Sequence, residues 1–286
     1  MAVGRVAGKS VCAATSVMKK RPGADVIEAG NQYHTSAQSS LADDRTRVLL
    51  FGDTFAVFDR YGDIQPLGYG QQGLFYQETR HLSNLQIHIC GYRPLLLSSQ
   101  VREDNILLAV DLTNPDMTLA SGESFVRGSL HIYRNKFLSD GVCFDRFTIH
   151  NYGQKPFAAE LSFAFGADFA DIFEVRGQKR AERGIQLPED VERSGVTLTY
   201  EGLDRVFRRT RIDCSPACGA VSPSGISIPV HLEPGEEMAF GLEIICEAGG
   251  AKREIVGYEE GLRQVHNRRL AWSVLSVASM ATFNGQ

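Results

Sequence analysis

The stretch FAAELSFAFGADF, residues 157 to 169, decides the fold. Phe157, Ala159, Leu161, Phe163 and Phe165 fall on one side of an extended chain and Glu160 and Ser162 on the other, because successive side chains of a strand point to opposite faces. A period of two with this aromatic content predicts a half-buried strand. The period recurs. GVTLTYEG (195–202) turns Val196, Leu198 and Tyr200 inward against Thr197 and Thr199. GISIPVHLEPGEE (225–237) alternates Ile226, Ile228, Val230 and Leu232 with Ser227, Pro229 and His231, then turns at Glu233-Pro234-Gly235-Glu236. MAFGLEIICEA (238–248) resumes with Met238, Phe240, Leu242 and Ile244.

Turn residues punctuate these runs at Cys90-Gly91-Tyr92, Asn114-Pro115-Asp116, Asn151-Tyr152-Gly153 and Glu201-Gly202-Leu203-Asp204. About a dozen short strands joined by hairpin-like turns, without alternating helices, predict a mainly β protein. The expected architecture is a large antiparallel β-sandwich, not a parallel α/β sheet.

Two segments break the pattern. Residues 168–193, DFADIFEVRGQKRAERGIQLPEDVER, are densely charged and too long for a hairpin turn, and loops of that length are usually functional or disordered. From about Glu254 to Met280 the spacing becomes helical. There Tyr258, Leu262, Val265, Leu270, Trp272 and Leu275 form an apolar stripe among Glu259, Glu260, Arg263, Arg268 and Arg269. No internal repeat of 20 to 50 residues is present. The chain therefore divides into a basic, polar, disordered tail (1–44), a sandwich (45–253) and a linker-like helix with the chain end (254–286).

With 43% hydrophobic and 22% charged residues, the 286-residue chain has the composition of a globular protein. No apolar run approaches the roughly 18 residues of a membrane span. The net charge of −4 conceals an asymmetry: Arg5, Lys9, Lys19, Lys20 and Arg21 lie in the first 24 residues without an acid, leaving the remainder near −9. Such a remainder does not suit a nucleic-acid surface. VCAATSV (11–17) is too short and polar for a secretory core segment. The six cysteines (12, 90, 143, 214, 218 and 246) are scattered through expected strands, a pattern of reduced thiols in a cytoplasmic protein. Cys214 and Cys218 have no second Cys/His pair at zinc-site spacing, so neither a metal nor a cofactor is expected.

Gly68, Gly70 and Gly73 in PLGYGQQGLFYQETR (66–80) spell G-x-G-x-x-G, the spacing of a dinucleotide loop. Its context fails. Asp59, Arg60, Asp63 and Pro66 occupy the place of the apolar strand, and no acid lies between Glu78 and Glu103 to hold a ribose. The glycines are read as turn formers.

Longer blocks carry a more specific signal: GDTFAVFDRYGDIQPLGYGQQGLFYQETRHLSNL, then RPLLLSSQVREDNILLAVDLTNPD, then FGADFADIFEVRGQKRAERG. In this order they resemble the N-terminal domain of bacterial glycogen debranching enzymes of the amylo-α-1,6-glucosidase type, over roughly residues 45–270. The resemblance implies a supersandwich-like β domain placed before an (α/α)6 barrel that hydrolyses α-1,6 branch linkages and supplies the catalytic carboxylates. A toroid of about twelve helices of mean length has no room after ATFNGQ. The expectation is therefore a non-catalytic domain, on a short, split or truncated chain, that supports or shapes a glucan site completed by a barrel partner.

Glycoside hydrolysis needs two carboxyl groups flanking the bond, and no pair is singled out by spacing; no catalytic residue is assigned. Asp168, Asp171, Glu174 and Arg176, concentrated in the charged loop, are candidates to bind sugar hydroxyls or touch a barrel. The alternative reading is an autonomous carbohydrate-binding module, with Tyr61, Tyr69, Phe75 and Tyr76 as a stacking platform. A third is a sandwich enzyme acting on sugars through Asp168 and Glu174. Arg80 is expected to form an ion pair with Asp59 or Glu78 that fixes the glycine loop, and Asp104 to do similar work.

Overall fold

The computed structural model describes residues 26–29, 32–35, 46–66, 71–102, 105–216, 219–250 and 256–283, with the backbone alone for 26–29, 32–35 and 271–283. The chain forms two compact units, Met1–Asp43 and Asp44–Gln286. In the first, read from sequence as a tail, β1 (Val26–Ala29) and β2 (Gln32–Thr35) pair antiparallel.

The second unit is built of antiparallel strands. Strands β3 (Arg47–Phe51), β4 (Thr54–Phe58), β5 (Gly73–Tyr76) and β6 (Thr79–Leu82) make a four-stranded meander. Next come β7 (Asn84–Ile89), β8 (Leu95–Arg102), β9 (Leu107–Thr113), the short pair β10 (Met117–Thr118) and β11 (Ser124–Phe125), β12 (Leu130–Ser139), β13 (Val142–Asn151) and β14 (Phe157–Gly166). After helix α1 (Ile172–Val175) follow β15 (Ile185–Gln186), β16 (Asp190–Val191), β17 (Gly195–Glu201), β18 (Phe207–Ser215), β19 (Ala220–Ser222), β20 (Gly225–Leu232), β21 (Glu237–Ala248) and helix α2 (Tyr258–Phe283). One sheet orders β15-β17-β18-β21-β13-β12-β9-β8, with β16 also on β17, and another orders β19-β20-β14-β7. The charged segment 168–193 is thus broken into α1 and two edge strands.

The alternating pattern does what strand geometry requires. Phe157, Leu161, Phe163 and Phe165 are buried while Glu160 is exposed, and Ile226, Ile228, Val230 and Leu232 are buried on the neighbouring strand. One core cluster takes side chains from all three of the larger sheets, among them Phe58, Leu74, Ile87, Phe163, Ile132 and Leu242. That shared core is the sandwich. A second cluster lies where α2 covers β12 and β13: Phe137 stacks on Phe144 at 4.6 Å, Tyr258 meets Phe137 edge-on at 5.1 Å, and Val265 is buried beside them. Full burial of a valine contributes roughly 1.5–3 kcal/mol. Leu270, one turn further along the stripe, is exposed.

The sandwich interior also holds charge. On β12, Arg134 and Lys136 face the core between Ile132 and Leu138, both with essentially no solvent contact. Asp145 on β13 accepts from Arg134 Nε at 3.0 Å, Arg134 Nη2 at 2.8 Å and Lys136 Nζ at 2.5 Å. Arg134 Nη1 donates to Asp63 Oδ1 at 2.6 Å and to the Tyr61 carbonyl at 2.9 Å. The guanidinium lies 4.9 Å from the Phe147 ring centroid and the Lys136 ammonium 4.7 Å from that of Phe58, so aromatic faces supply part of the solvation that water would. Burial pushes the Asp63 carboxyl up to about 6, against the opposing pull of Arg134. Burial, reinforced by Arg134, pushes the Lys136 ammonium down.

Candidate functional site

The β5–β6 hairpin turns on Gln77 and Glu78, both in the left-handed region (φ 45° and 65°). Past this turn, β6 lies against the segment that leaves β14: Arg80 N donates to Ala170 O at 2.8 Å, Ile172 N to Glu78 O at 3.1 Å and Ser83 N to Gly166 O at 2.8 Å. The pairing carries Asp168 to Arg80. Arg80 Nε donates to Asp168 Oδ1 at 3.0 Å, Nη2 donates to Oδ2, and Nη1 reaches Gln72 O at 3.2 Å. Fork-to-fork contact of this kind fixes both planes and not only the charges.

Arg80 therefore pairs with Asp168 and not with Asp59 or Glu78 as local sequence distance suggested. Asp59 is committed elsewhere: Oδ1 accepts from Tyr61 N and Asp63 N, and Oδ2 from Gln65 Nε2 and Arg93 Nη2. It organises the 59–65 turn. Glu78 is exposed and has no ion pair among the described residues. The glycine motif acquires its meaning here, because a Cβ on Gly73 would lie 2.5 Å from Arg80 Cδ and 2.9 Å from Arg80 Cγ. Gly73 makes room for the arginine stem. Gly68, Tyr69, Gly70 and Asp104 lie outside the described residues.

Below this ion pair, Phe169 takes a left-handed backbone (φ 49°), an unfavourable conformation for a bulky residue. Its ring is buried, stacked on Tyr200 at 5.4 Å and edge-on to His81 at 5.6 Å. His81 is itself fully buried, its Nδ1 3.1 Å from the Arg209 carbonyl, and burial pushes its pKa down to about 3. The imidazole is therefore neutral, with Nδ1–H the donor and Nε2 a buried nitrogen without a hydrogen-bond partner. Tyr76 packs edge-on against His81 at 6.0 Å and is 9% exposed, while Phe75 is 1% exposed. Both rings belong to the core, which removes them from the stacking platform expected around the glycine loop. Tyr61 lies under the Arg93 guanidinium at 3.8 Å.

Above the pair, the charged loop is pinned by its own side chains. Asp171 caps α1: Oδ1 accepts from Phe173 N at 2.7 Å and Glu174 N at 2.9 Å, while Glu174 Oε2 accepts from Asp171 N at 3.1 Å. This reciprocal capping box explains why so short a helix forms. Arg180 pairs with Asp171 and approaches Glu174 at 3.7 Å; Arg183 lies 3.3 Å from Glu174 Oε1 and donates to the Asp168 carbonyl at 2.6 Å. Gly184 N donates to the Tyr200 hydroxyl at 2.7 Å. Asp171, Phe173, Glu174, Gln178 and Arg180 line an open cavity of about 430 Å³. Of the expected loop residues, Asp168, Asp171 and Glu174 come together and Arg176 stands exposed beside them. Phe173, Arg180 and Arg183 belong to no motif in the sequence; the local signal for Phe173 is an aromatic residue inside a charged stretch.

Two findings bear on chemistry. Asp168 and Glu174, considered as an acid/base pair, are each held by a guanidinium and a backbone N–H. No group of three or more His, Cys, Asp or Glu side chains among the described residues has the geometry to hold a metal ion.

Residues 49–243 match the family model for the N-terminal domain of (some) glycogen debranching enzymes. No curated protein matches the sequence at a significant level. Among solved structures, the chain is similar to a protein named as a kojibiose phosphorylase from the human microbiome, at TM-score 0.42 and 10% identity over 83% of this chain and 32% of that one. It therefore spans about a third of that protein. It is also similar to a galactose mutarotase related enzyme from Lactobacillus acidophilus (TM-score 0.41, 6% identity, 73% of this chain and 100% of that one). A galactose mutarotase-like protein from Lactobacillus casei gives TM-score 0.40 and 10% identity over 71% and 100% of the two chains. Likeness at this level fixes neither substrate nor chemistry.

Proposed function

We propose a function from one premise: this chain belongs to the family of N-terminal domains of glycogen debranching enzymes. On our reading it is the non-catalytic sandwich of an α-1,6-glucan hydrolase of the amylo-α-1,6-glucosidase type. Its partner is an (α/α)6-barrel glycoside hydrolase domain or chain that brings the catalytic carboxylates. The sandwich supports or shapes the glucan site through the loop that carries Asp168, Asp171, Glu174 and Arg176.

The observation that carries this reading is the engagement of the loop's carboxylates. Asp168 is bound by Arg80, Asp171 by two backbone N–H groups and Arg180, and Glu174 by a backbone N–H and lies between two arginines. Groups so tied suit a rigid rim that positions a ligand or partner, because catalytic and binding constellations need support from neighbouring side chains. Cys90 and Cys143 carry free thiols, which suits a reducing compartment, and we place the protein in the cytoplasm. No helix among the described residues is long and apolar enough to cross a membrane.

The test is an assay of glucose released from a branched limit dextrin, with the pure chain, with an isolated barrel module of a debranching-type enzyme, and with both. Glucose is expected to rise above the barrel's own rate when the chain is added, and to be absent with the chain alone. Release by the chain alone, or no effect of the chain on the barrel, would sink the reading.

A further inference from the structure

We propose that the cavity beside α1 is a binding site for one or two neutral glucosyl units, with Phe173 as its stacking surface. The inference rests on the glucan reading above and names the ligand of the charged loop.

The starting observation is Phe173, 57% exposed on the helix whose first turn is the capping box. A single exposed aromatic is unremarkable on a protein surface. This one forms a wall of a cavity whose other walls are the carboxylates of Asp171 and Glu174, the amide of Gln178 and the guanidinium of Arg180. The volume of about 430 Å³ falls within the roughly 300–1,000 Å³ range of small-molecule pockets. Another depression, between Tyr92 and the β10–β11 hairpin, measures about 210 Å³ and falls below it.

The chemistry of the walls selects the ligand class. Two carboxylates face one lining guanidinium, and Arg183 is drawn to Glu174 from the other side. The cavity walls themselves therefore carry no excess of positive charge for a phosphate or an acidic peptide. A pyranose is neutral, with an apolar C–H face rimmed by hydroxyls that both donate and accept. The ring of Phe173 matches the face. Glu174 accepts from hydroxyls, Arg180 donates, and Gln178 does both.

The site is also preorganised. The Gln178 backbone N–H donates to the Phe173 carbonyl at 2.9 Å and so joins the two walls. The capping box, Arg183 on the Asp168 carbonyl and the Tyr200 hydroxyl on Gly184 N hold the rest of the loop. A loop already fixed loses little further conformational freedom when ligand arrives.

Isothermal titration of the full chain with maltotriose and with a branched malto-oligosaccharide tests this, using Phe173→Ala and Phe173→Trp, each checked for an unchanged melting temperature. We expect saturable binding by the parent, weakened about 5- to 10-fold by Phe173→Ala and retained by Phe173→Trp. Equal affinity of the parent and Phe173→Ala would overturn the site while leaving glucan binding in place. Absence of binding by the parent would overturn it too, and the glucose-release assay with the barrel then decides the accessory reading separately. Competition by inorganic phosphate would overturn the neutral-ligand assignment.

Discussion

Arg80 and Asp168, 88 residues apart in sequence, form a two-point ion pair that ties the β5–β6 hairpin to the root of the charged loop. Local sequence distance pointed to nearer acids. The partner was chosen by the strand-like pairing of β6 with residues 166–172, which brings Thr79 opposite Asp171 and leaves Arg80 beside Asp168.

Breaking the pair should be costly for its exposure, because either single change leaves a part-buried charge unmatched. Arg80→Ala and Asp168→Ala are each expected to cost about 1–3 kcal/mol in urea unfolding. The double variant should lose less than the two costs added together, with a coupling of about 1 kcal/mol. Additivity within about 0.3 kcal/mol would mean that the pair is incidental.

Gly73→Ala tests the reading of the glycine motif as space for a side chain. Its Cβ would meet Arg80 Cδ, Arg80 Cγ and Phe75 Cε2, all under 3 Å, so about 1–3 kcal/mol of stability should be lost. In an Arg80→Ala background most of the clash is gone and the cost should shrink. An equal cost in both backgrounds would assign the glycine to backbone conformation instead.

The buried network predicts an asymmetry between its members. Asp145→Asn leaves Arg134 and Lys136 without their common carboxylate and should cost roughly 3–5 kcal/mol. Lys136→Met keeps the shape and leaves the Arg134–Asp145 pair intact, so the fold should stay within about 1.5 kcal/mol of the parent. Chemical denaturation of the two variants checks the order, and the reverse ranking would show that the ammonium is the indispensable charge.

Two buried groups titrate in opposite senses. His81 has a folded value of about 3 against an ordinary 6.5, so its contribution to stability is present above pH 6.5 and lost as pH falls through that window. Asp63, at about 6 against 3.8, contributes fully below pH 3.8 and loses that contribution as pH rises through 6. The parent's advantage over Asp63→Asn should therefore decrease from pH 4 to pH 7, by at most about 3 kcal/mol. Its advantage over His81→Phe should increase across the same range. Unfolding free energies measured along the pH series, with either difference flat, would contradict the corresponding assignment.

By itself the sequence determined the strands and the layer they form. Phe157, Leu161, Phe163 and Phe165, and Ile226, Ile228, Val230 and Leu232 on the neighbouring strand, are buried as their period of two assigns, with Ala159 half-buried, and Tyr258, Leu262 and Val265 seat the C-terminal helix as their helical spacing requires. These are local properties, written in neighbours two to four residues apart. What only the tertiary structure decided are meetings across long stretches of chain: Arg80 with Asp168 and Arg134 with Asp63. Tyr76, an obvious candidate for a sugar platform in sequence, is in the core. Periodicity tells which face a residue occupies; which distant charge or ring stands opposite depends on how the sheets pack, and no spacing along the chain encodes it.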